Sequence, residues 1–209
     1  MGLTARTLRL ATDELARRDP DLRAIVDQCG PPPLWARRPG FATLLRIILE
    51  QQVSLASAAT MFERLRRAVG AVTPEAVGSL EASGLRALGF TRQKAGYCHG
   101  LAEGICRGRL DLGSIGRMSD DAGMARLLEI RGLGPWSVDI YFLIALRRPD
   151  IWPRGDLALA TAVHQVKRLR ARPDHLRLAR LAKQWMPWRS VAARILWRHY
   201  LSTRMKRAG

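Results

Sequence analysis

The sequence predicts an all-α protein. Apolar residues recur at helical spacing in nearly every segment, and Ser, Thr or Asp stands where one such segment after another begins. No stretch alternates apolar and polar residues as a half-buried strand would. In chain order, the run 41–49 (Phe-Ala-Thr-Leu-Leu-Arg-Ile-Ile-Leu) is apolar nearly all round and reads as a buried helix. After Gln51-Gln52-Val53, Ser54 is a cap for a second helix carrying Leu55, Ala58, Ala59, Phe62, Leu65 and Val69. Thr73-Pro74-Glu75 combines a cap, a first-turn proline and an acidic first turn, so a short helix starts there. Thr91 caps a segment holding Ala95, Cys98, Leu101, Ala102 and Ile105, and Gly108 follows its end. Ser119-Asp120-Asp121 opens a helix running through Met124, Leu127 and Leu128 to Ile130.

A tight turn at 132–135 separates that helix from an apolar one over 136–146. Two prolines and a glycine make 147–155 a loop, and Asp156 then precedes the helical run 157–163. Further helices are expected at about 174–185 and 188–201, for nine or ten in all. Pro31-Pro32-Pro33 and the 147–155 loop are the two natural seams.

Composition narrows the function classes. The 209 residues are 47% hydrophobic, too apolar for a disordered chain, yet hold no continuous apolar run of the ~20 residues that a membrane span needs. The N-terminus alternates Arg and Leu rather than presenting an apolar signal core, so a cytoplasmic protein is expected. Cys29, Cys98 and Cys106 are too few and too widely spaced for a disulfide framework, a zinc ribbon or an iron–sulfur cluster, and are expected to be reduced and mostly buried. The four histidines have no metal-ligand spacing. A net charge of +17, from 35 basic against 18 acidic residues, points to a polyanion partner, most simply nucleic acid. A GC-rich genome accounts for the choice of Arg over Lys, but not for the shortage of acids.

The most informative stretch runs from Leu127 to Ser137. Gly132-Leu133-Gly134 is too short a link between two helices for anything but a tight hairpin, and its glycines permit positive φ. Pro135 then occupies the first turn of the next helix. A helix N-terminus bare of side chains is a site for a phosphate, and main-chain donation fixes register without reading sequence. By itself the pattern also fits an ordinary helix–turn–helix corner.

Twenty residues beyond Trp136, Pro153-Arg154-Gly155-Asp156-Leu157 completes a hairpin, apolar helix, Pro/Gly loop and Asp at a helix start. That order resembles the helix-hairpin-helix (HhH-GPD) superfamily of DNA glycosylases, and within it the alkylated-base branch of the 3-methyladenine DNA glycosylase II type. Ile48-Leu49-Glu50-Gln51-Gln52-Val53-Ser54 and Trp185-Met186-Pro187-Trp188-Arg189-Ser190 are also similar to that branch. The likeness covers about 41–200, with four motifs in the family's order.

The resemblance implies a two-lobed helical fold with a DNA-binding cleft between the lobes, one lobe over 39–149 and the other formed by 1–38 with 150–209. It places Asp156 on the family's catalytic aspartate, where a carboxylate stabilises the positive charge that builds on the sugar, or orients the attacking water. An Asp at that place is by itself most often a helix cap, and the two roles are compatible. Trp136 stands where strand-nicking members carry a Schiff-base lysine, so hydrolysis leaving an abasic site is implied. An indole also attracts a cationic alkylated purine. Trp188 and Tyr141 are further pocket candidates, although Ile140 occupies the position where the family places an aromatic. DNA contacts are expected from Gly132, Leu133, Gly134 and Ser137, and from Gln52, which aligns with a leucine wedge of another member and would fill the gap left by a flipped base.

No cofactor is required by this reading. The family's monovalent cation (Na or K) would be held by the main-chain carbonyls of Leu128, Ile130 and Leu133. The expected partner is double-stranded DNA containing a damaged base, the expected state a monomer, and no membrane is involved. Two other readings fit the residues: a hairpin DNA-binding module without catalysis, and a nicking glycosylase–lyase using Lys94 or Lys167.

Overall fold

The computed structural model describes residues 2–208, with side chains to Arg204, and every regular element among them is helical. The chain divides into two compact units, one formed by residues 1–36 and 142–209, the other by residues 37–141. The seams therefore fall at 36/37 and 141/142, against the 38/39 and 149/150 expected.

The second unit holds α3 (Phe41–Glu50), α4 (Leu55–Val69), α5 (Pro74–Gly78), α6 (Ala82–Ala87), α7 (Arg92–Cys106), α8 (Leu112–Arg117), α9 (Asp120–Leu128) and α10 (Pro135–Ile140). The short α6 and α8 carry too few apolar repeats to stand out in the sequence. In α3, Leu44, Leu45, Ile47, Ile48 and Leu49 are all 0% exposed, which is the burial its unbroken apolar run requires. It packs against α4, α7 and α10. The caps Ser54, Thr73, Thr91 and Ser119 each accept a backbone N–H three residues on.

The first unit contains two helices that the sequence reading left within an undivided arm, α1 (Ala5–Arg18) and α2 (Pro20–Cys29). Their signals are legible in retrospect. Thr4 and Thr7 form a reciprocal capping box, and Asp19-Pro20 is a cap followed by a first-turn proline. The unit continues with α11 (Leu157–Val166), α12 (His175–Ala182) and α13 (Arg189–Ala208), and α13 packs on α1, α2 and α11.

The expected helix over 136–146 is interrupted: α10 ends at Ile140, and Tyr141–Ala145 is wound as a π-helix. Residues beyond Tyr141 belong with the first unit through main-chain bonds, Leu3 N–H to the Arg147 carbonyl at 2.7 Å and Ser190 N–H to that of Pro149 at 3.0 Å. Arg194 of α13 adds to them. Its guanidinium is 0% exposed and donates to the carbonyls of Leu34, Leu143 and Ser190, while burial pulls its pKa down to about 10. Of the cysteines, Cys98 is buried with its thiol pushed up to about 12 by burial, Cys29 is half-buried, and Cys106 is exposed at the end of α7 rather than buried as expected.

A buried ionic cluster joins three elements of the first unit. Lys167 donates to both oxygens of Asp19, at 2.8 and 2.9 Å, and to Asp21 at 2.8 Å, and the Trp185 indole adds a bond to Asp19 at 2.8 Å. Burial works to raise the Asp19 pKa, but the Lys167 and Trp185 hydrogen bonds and the Lys167 charge outweigh it, and the net shift is downward. Replacing Lys167 with Met leaves that carboxylate, 4% exposed, without its cation, at an expected cost of about 3 kcal/mol at pH 7. The depressed folded pKa contributes stability that is full above the ordinary value of 3.8 and lost as pH falls through the folded one. The penalty of Lys167→Met, read from urea midpoints, should therefore shrink as the pH falls through the acid range.

Candidate DNA-repair site

In the second unit the structure brings the hairpin and the Gln51–Val53 turn together. Gly132 has φ +96°, and a Cβ added there would lie 2.3 Å from Cγ of Tyr97. Both the left-handed backbone and the close approach of an aromatic ring require glycine. Gly134 differs: its φ is −84°, it is exposed, and nothing lies within 4 Å of an added Cβ. It heads α10 without a side-chain cap, and Val138 N–H to the Gly134 carbonyl (3.1 Å) is the helix's first internal bond. A helix begun this way directs its leading N–H groups outward along the axis.

Two hairpin residues expected to touch DNA are turned inward. Leu133 is 3% exposed and its N–H donates to the Ile130 carbonyl at 3.0 Å. Ser137 is 1% exposed, and its hydroxyl accepts from the Gln51 amide at 2.8 Å. The same Gln51 Nε2 donates to the Gly132 carbonyl at 2.8 Å. Gln51 is thus an internal strap between turn and hairpin, and both of its acceptors belong to the hairpin and the helix that follows.

Successive residues fix the end of α3. Lys94 donates to the Leu49 carbonyl at 2.6 Å, and Arg37 grips the Glu50 carboxylate through two bonds, at 2.7 and 3.0 Å. Gln51 follows, and Gln52 beside it is exposed in a left-handed conformation with φ +56°. Val53 (41% exposed) and Leu55 (62%) are also outward, so the turn presents one amide and two apolar side chains to solvent. A non-glycine residue at positive φ is strained, and the anchored residues before it are what hold it.

Lys94 is not placed as a nucleophile. It is 8% exposed with its ammonium on a carbonyl, and burial lowers its pKa against a smaller opposing pull from Cys98. Lys167 is engaged by two carboxylates. Tyr141, expected in the base pocket, is 0% exposed; its hydroxyl accepts the Gly40 N–H at 3.1 Å, and burial raises its pKa. It offers no surface to a base. Trp136, on α10, is half-buried.

In the first unit, Asp156 is the N-cap of α11, its Oδ1 accepting Leu159 N–H at 2.8 Å. The indole N–H of Trp197, on α13, donates to the same oxygen at 3.3 Å. Nothing local in the sequence marks Trp197, and its link to Asp156 spans 41 residues, beyond any local pattern. The carboxylate is 7% exposed, and Leu157 beside it is 68% exposed. Trp188 is half-buried, after the cis Met186–Pro187 peptide, whereas Trp152 and Trp185 pack on one another in the core at 5.4 Å between ring centres.

Residues 45–187 match the family model of the HhH-GPD superfamily base excision DNA repair protein, and the chain belongs to that superfamily. Relatives are informative about the branch. YfjP of Bacillus subtilis is 31% identical over 185 residues, covering 85% of this chain and 64% of its own length. DNA-3-methyladenine glycosylase 1 of Schizosaccharomyces pombe is 26% identical over 162 residues, 76% of this chain and 71% of the relative. The chain thus spans less than two thirds of the first of these and somewhat more of the second. Among solved structures, the S. pombe 3-methyladenine DNA glycosylase in complex with abasic DNA superposes with a TM-score of 0.83 at 25% identity, over 90% of this chain and 94% of that one.

The two hairpin glycines should separate in experiment. Gly132→Ala must both hold a strained φ and displace Tyr97, and should lose about 2–4 kcal/mol of stability. Gly134→Ala meets neither obstacle and should melt within a degree or two of wild type by calorimetry.

Proposed function

We propose that the chain is a monofunctional DNA glycosylase that excises alkylated bases, such as 3-methyladenine, from double-stranded DNA in base excision repair, acting as a cytoplasmic, nucleoid-associated monomer. The observation that carries the reading is Asp156: a carboxylate held by the start of α11 and by Trp197, in a chain of this superfamily.

Hydrolysis breaks the bond between C1′ and the base nitrogen, and its electron pair leaves with the base. A ring already positive from alkylation departs neutral, so no general acid is needed. The developing positive charge on C1′ and the ring oxygen is stabilised by the Asp156 carboxylate, fixed before the reaction begins. Water adds to C1′ and gives up a proton, leaving an abasic site. The half-buried indoles of Trp136 and Trp188 are the proposed faces for the cationic base. Trp197 is a positioning residue, acting through Asp156. The engaged ammonium groups of Lys94 and Lys167 support hydrolysis over strand nicking.

DNA is gripped at the bare start of α10, and Gln52 enters the stack where the damaged nucleotide leaves. The hairpin's residues fit a monovalent cation. α9 ends at Leu128, so its last carbonyls lie at the negative end of the helix, and the carbonyls of Leu128, Ile130 and Leu133 would hold the ion. Bound there, it would add positive charge beside a DNA phosphate.

The test is single-turnover base release from methylated duplex DNA. Asn caps helices as well as Asp does, so Asp156→Asn should keep its melting temperature while base release falls by at least about a hundredfold. Trp197→Phe keeps an aromatic ring, though a smaller one, but not the N–H, and should lose a smaller factor, about tenfold. Base release that survives Asp156→Asn would remove the catalytic role. A folded wild type that binds DNA but releases no alkylated, deaminated or oxidised base would leave a hairpin DNA-binding module as the function.

A further inference from the structure

The positive charge is unevenly distributed. Residues 142–209 carry sixteen of the 35 Lys and Arg but only three of the 18 Asp and Glu. Several of these cations are engaged inside the first unit: Lys167 with Asp19 and Asp21, Arg189 with Asp150, Arg194 with three carbonyls and Arg198 with the Cys29 carbonyl. Arg168, Arg170, Arg172, Arg177, Arg180 and Lys183 are a different population. All six are exposed, and among the described residues none makes a side-chain ion pair. The single carboxylate in their midst, Asp174, caps α12 through Arg177 N–H at 2.7 Å, and that bond first of all lowers its pKa. Six unpaired cations in sixteen residues repel one another, so the segment is held together by its backbone at an electrostatic cost.

The backbone is well fixed. Arg168 closes α11 with φ +49°, and Leu169 N–H returns to the His164 carbonyl at 3.0 Å. Pro173 is buried and confines Arg172 before it to an extended conformation. Arg172 and His175 thereby line one open depression of about 330 Å³ with Asp156 and Leu157. A row of unpaired cations thus reaches the cavity of the reacting carboxylate within one unit.

We infer that residues 168–183 form a second DNA-backbone grip, separate from the hairpin, in which Arg172 meets a phosphate next to the nucleotide presented to Asp156 and the neighbouring arginines follow the strand away from it. The inference rests on the glycosylase reading. It gives the six cations the counter-charges that the fold does not supply, and it predicts contacts that position without reading sequence.

The decisive experiment measures affinity of the full chain for a duplex containing a tetrahydrofuran abasic-site analogue, over a range of salt concentrations. The triple variant Arg168→Gln/Arg170→Gln/Arg172→Gln is compared with wild type and with Arg6→Gln/Arg9→Gln, which removes two exposed charges from α1 of the same unit. If each arginine neutralises one phosphate, the slope of log affinity against log salt should flatten by about 2–3 in the triple variant, with at least about tenfold weaker binding at low salt. The α1 variant should keep nearly the wild-type slope. A triple variant whose slope changes no more than the α1 variant's overturns the inference. Wild-type base release lost in Asp156→Asn, together with an unchanged slope, overturns this surface alone. A wild type that neither binds the duplex nor releases a base overturns both readings.

Discussion

The Gln51 amide is the interaction on which the geometry of the second unit's hairpin and its neighbouring turn depends. One nitrogen donates to the Gly132 carbonyl and to the Ser137 hydroxyl, and so ties the end of α3 to both sides of the hairpin. Gly132 can accept that bond only because it lies at φ +96° against Tyr97, where no side chain fits. Removing the amide would leave a carbonyl and a hydroxyl unsatisfied in a half-buried setting, a cost of about 1–3 kcal/mol for each group that water cannot reach. The strap also sets the frame for Gln52. With Leu49, Glu50 and Gln51 all anchored, the left-handed conformation of Gln52 is imposed by its neighbours. For the proposed entry of Gln52 into a base stack such rigidity is an advantage, because less freedom is lost on binding.

Asp156 shows a related economy in the first unit. A cap must point one carboxylate oxygen at the N–H groups of its own helix, and Oδ1 does so at Leu159. The carboxylate is planar, so fixing Oδ1 also fixes the direction of the second oxygen. Trp197 restrains the same Oδ1 from α13. The structural duty and the proposed chemical one therefore coincide in one residue: the geometry that starts α11 also fixes the direction of the carboxylate. This is why the local sequence, an Asp before an apolar run, could not separate the two roles.

Helices with strong apolar repeats or explicit caps were legible, as α3, α4, α7 and α11 illustrate. The missed helices fall into two kinds. α1 and α2 carry their signals in their caps, the Thr4–Thr7 box and Asp19-Pro20, rather than in a strong apolar repeat. α6 and α8 have six residues each, too short to establish a period. The π-turn at 141–145 left no mark, because an apolar stretch of that composition suits either winding. At the candidate site, motif order pointed to Asp156 and the hairpin, but side-chain direction lay beyond it. Ser137 and Tyr141 have the chemistry of contact residues, and tertiary hydrogen bonds to Gln51 and Gly40 turned both inward. Trp197 went unnoticed for the converse reason: its partner is distant in sequence, and nothing local distinguishes it from a core tryptophan.

The two units differ in charge. In the first unit, Asp19, Asp21 and Asp150 are each bonded to Lys167 or Arg189, so they neutralise cations that are already structural. What remains uncompensated is concentrated between α11 and the end of α12. In the second unit, acids and bases are more evenly matched, and pairs such as Glu63 with Arg66 and Arg67, or Glu103 with Arg107, engage them locally. A composition bias toward Arg would act on both units alike, and it would not spare one segment of carboxylates while supplying them elsewhere. The asymmetry therefore argues for a local requirement for positive charge, and the cavity shared by Arg172 and Asp156 indicates where that requirement arises.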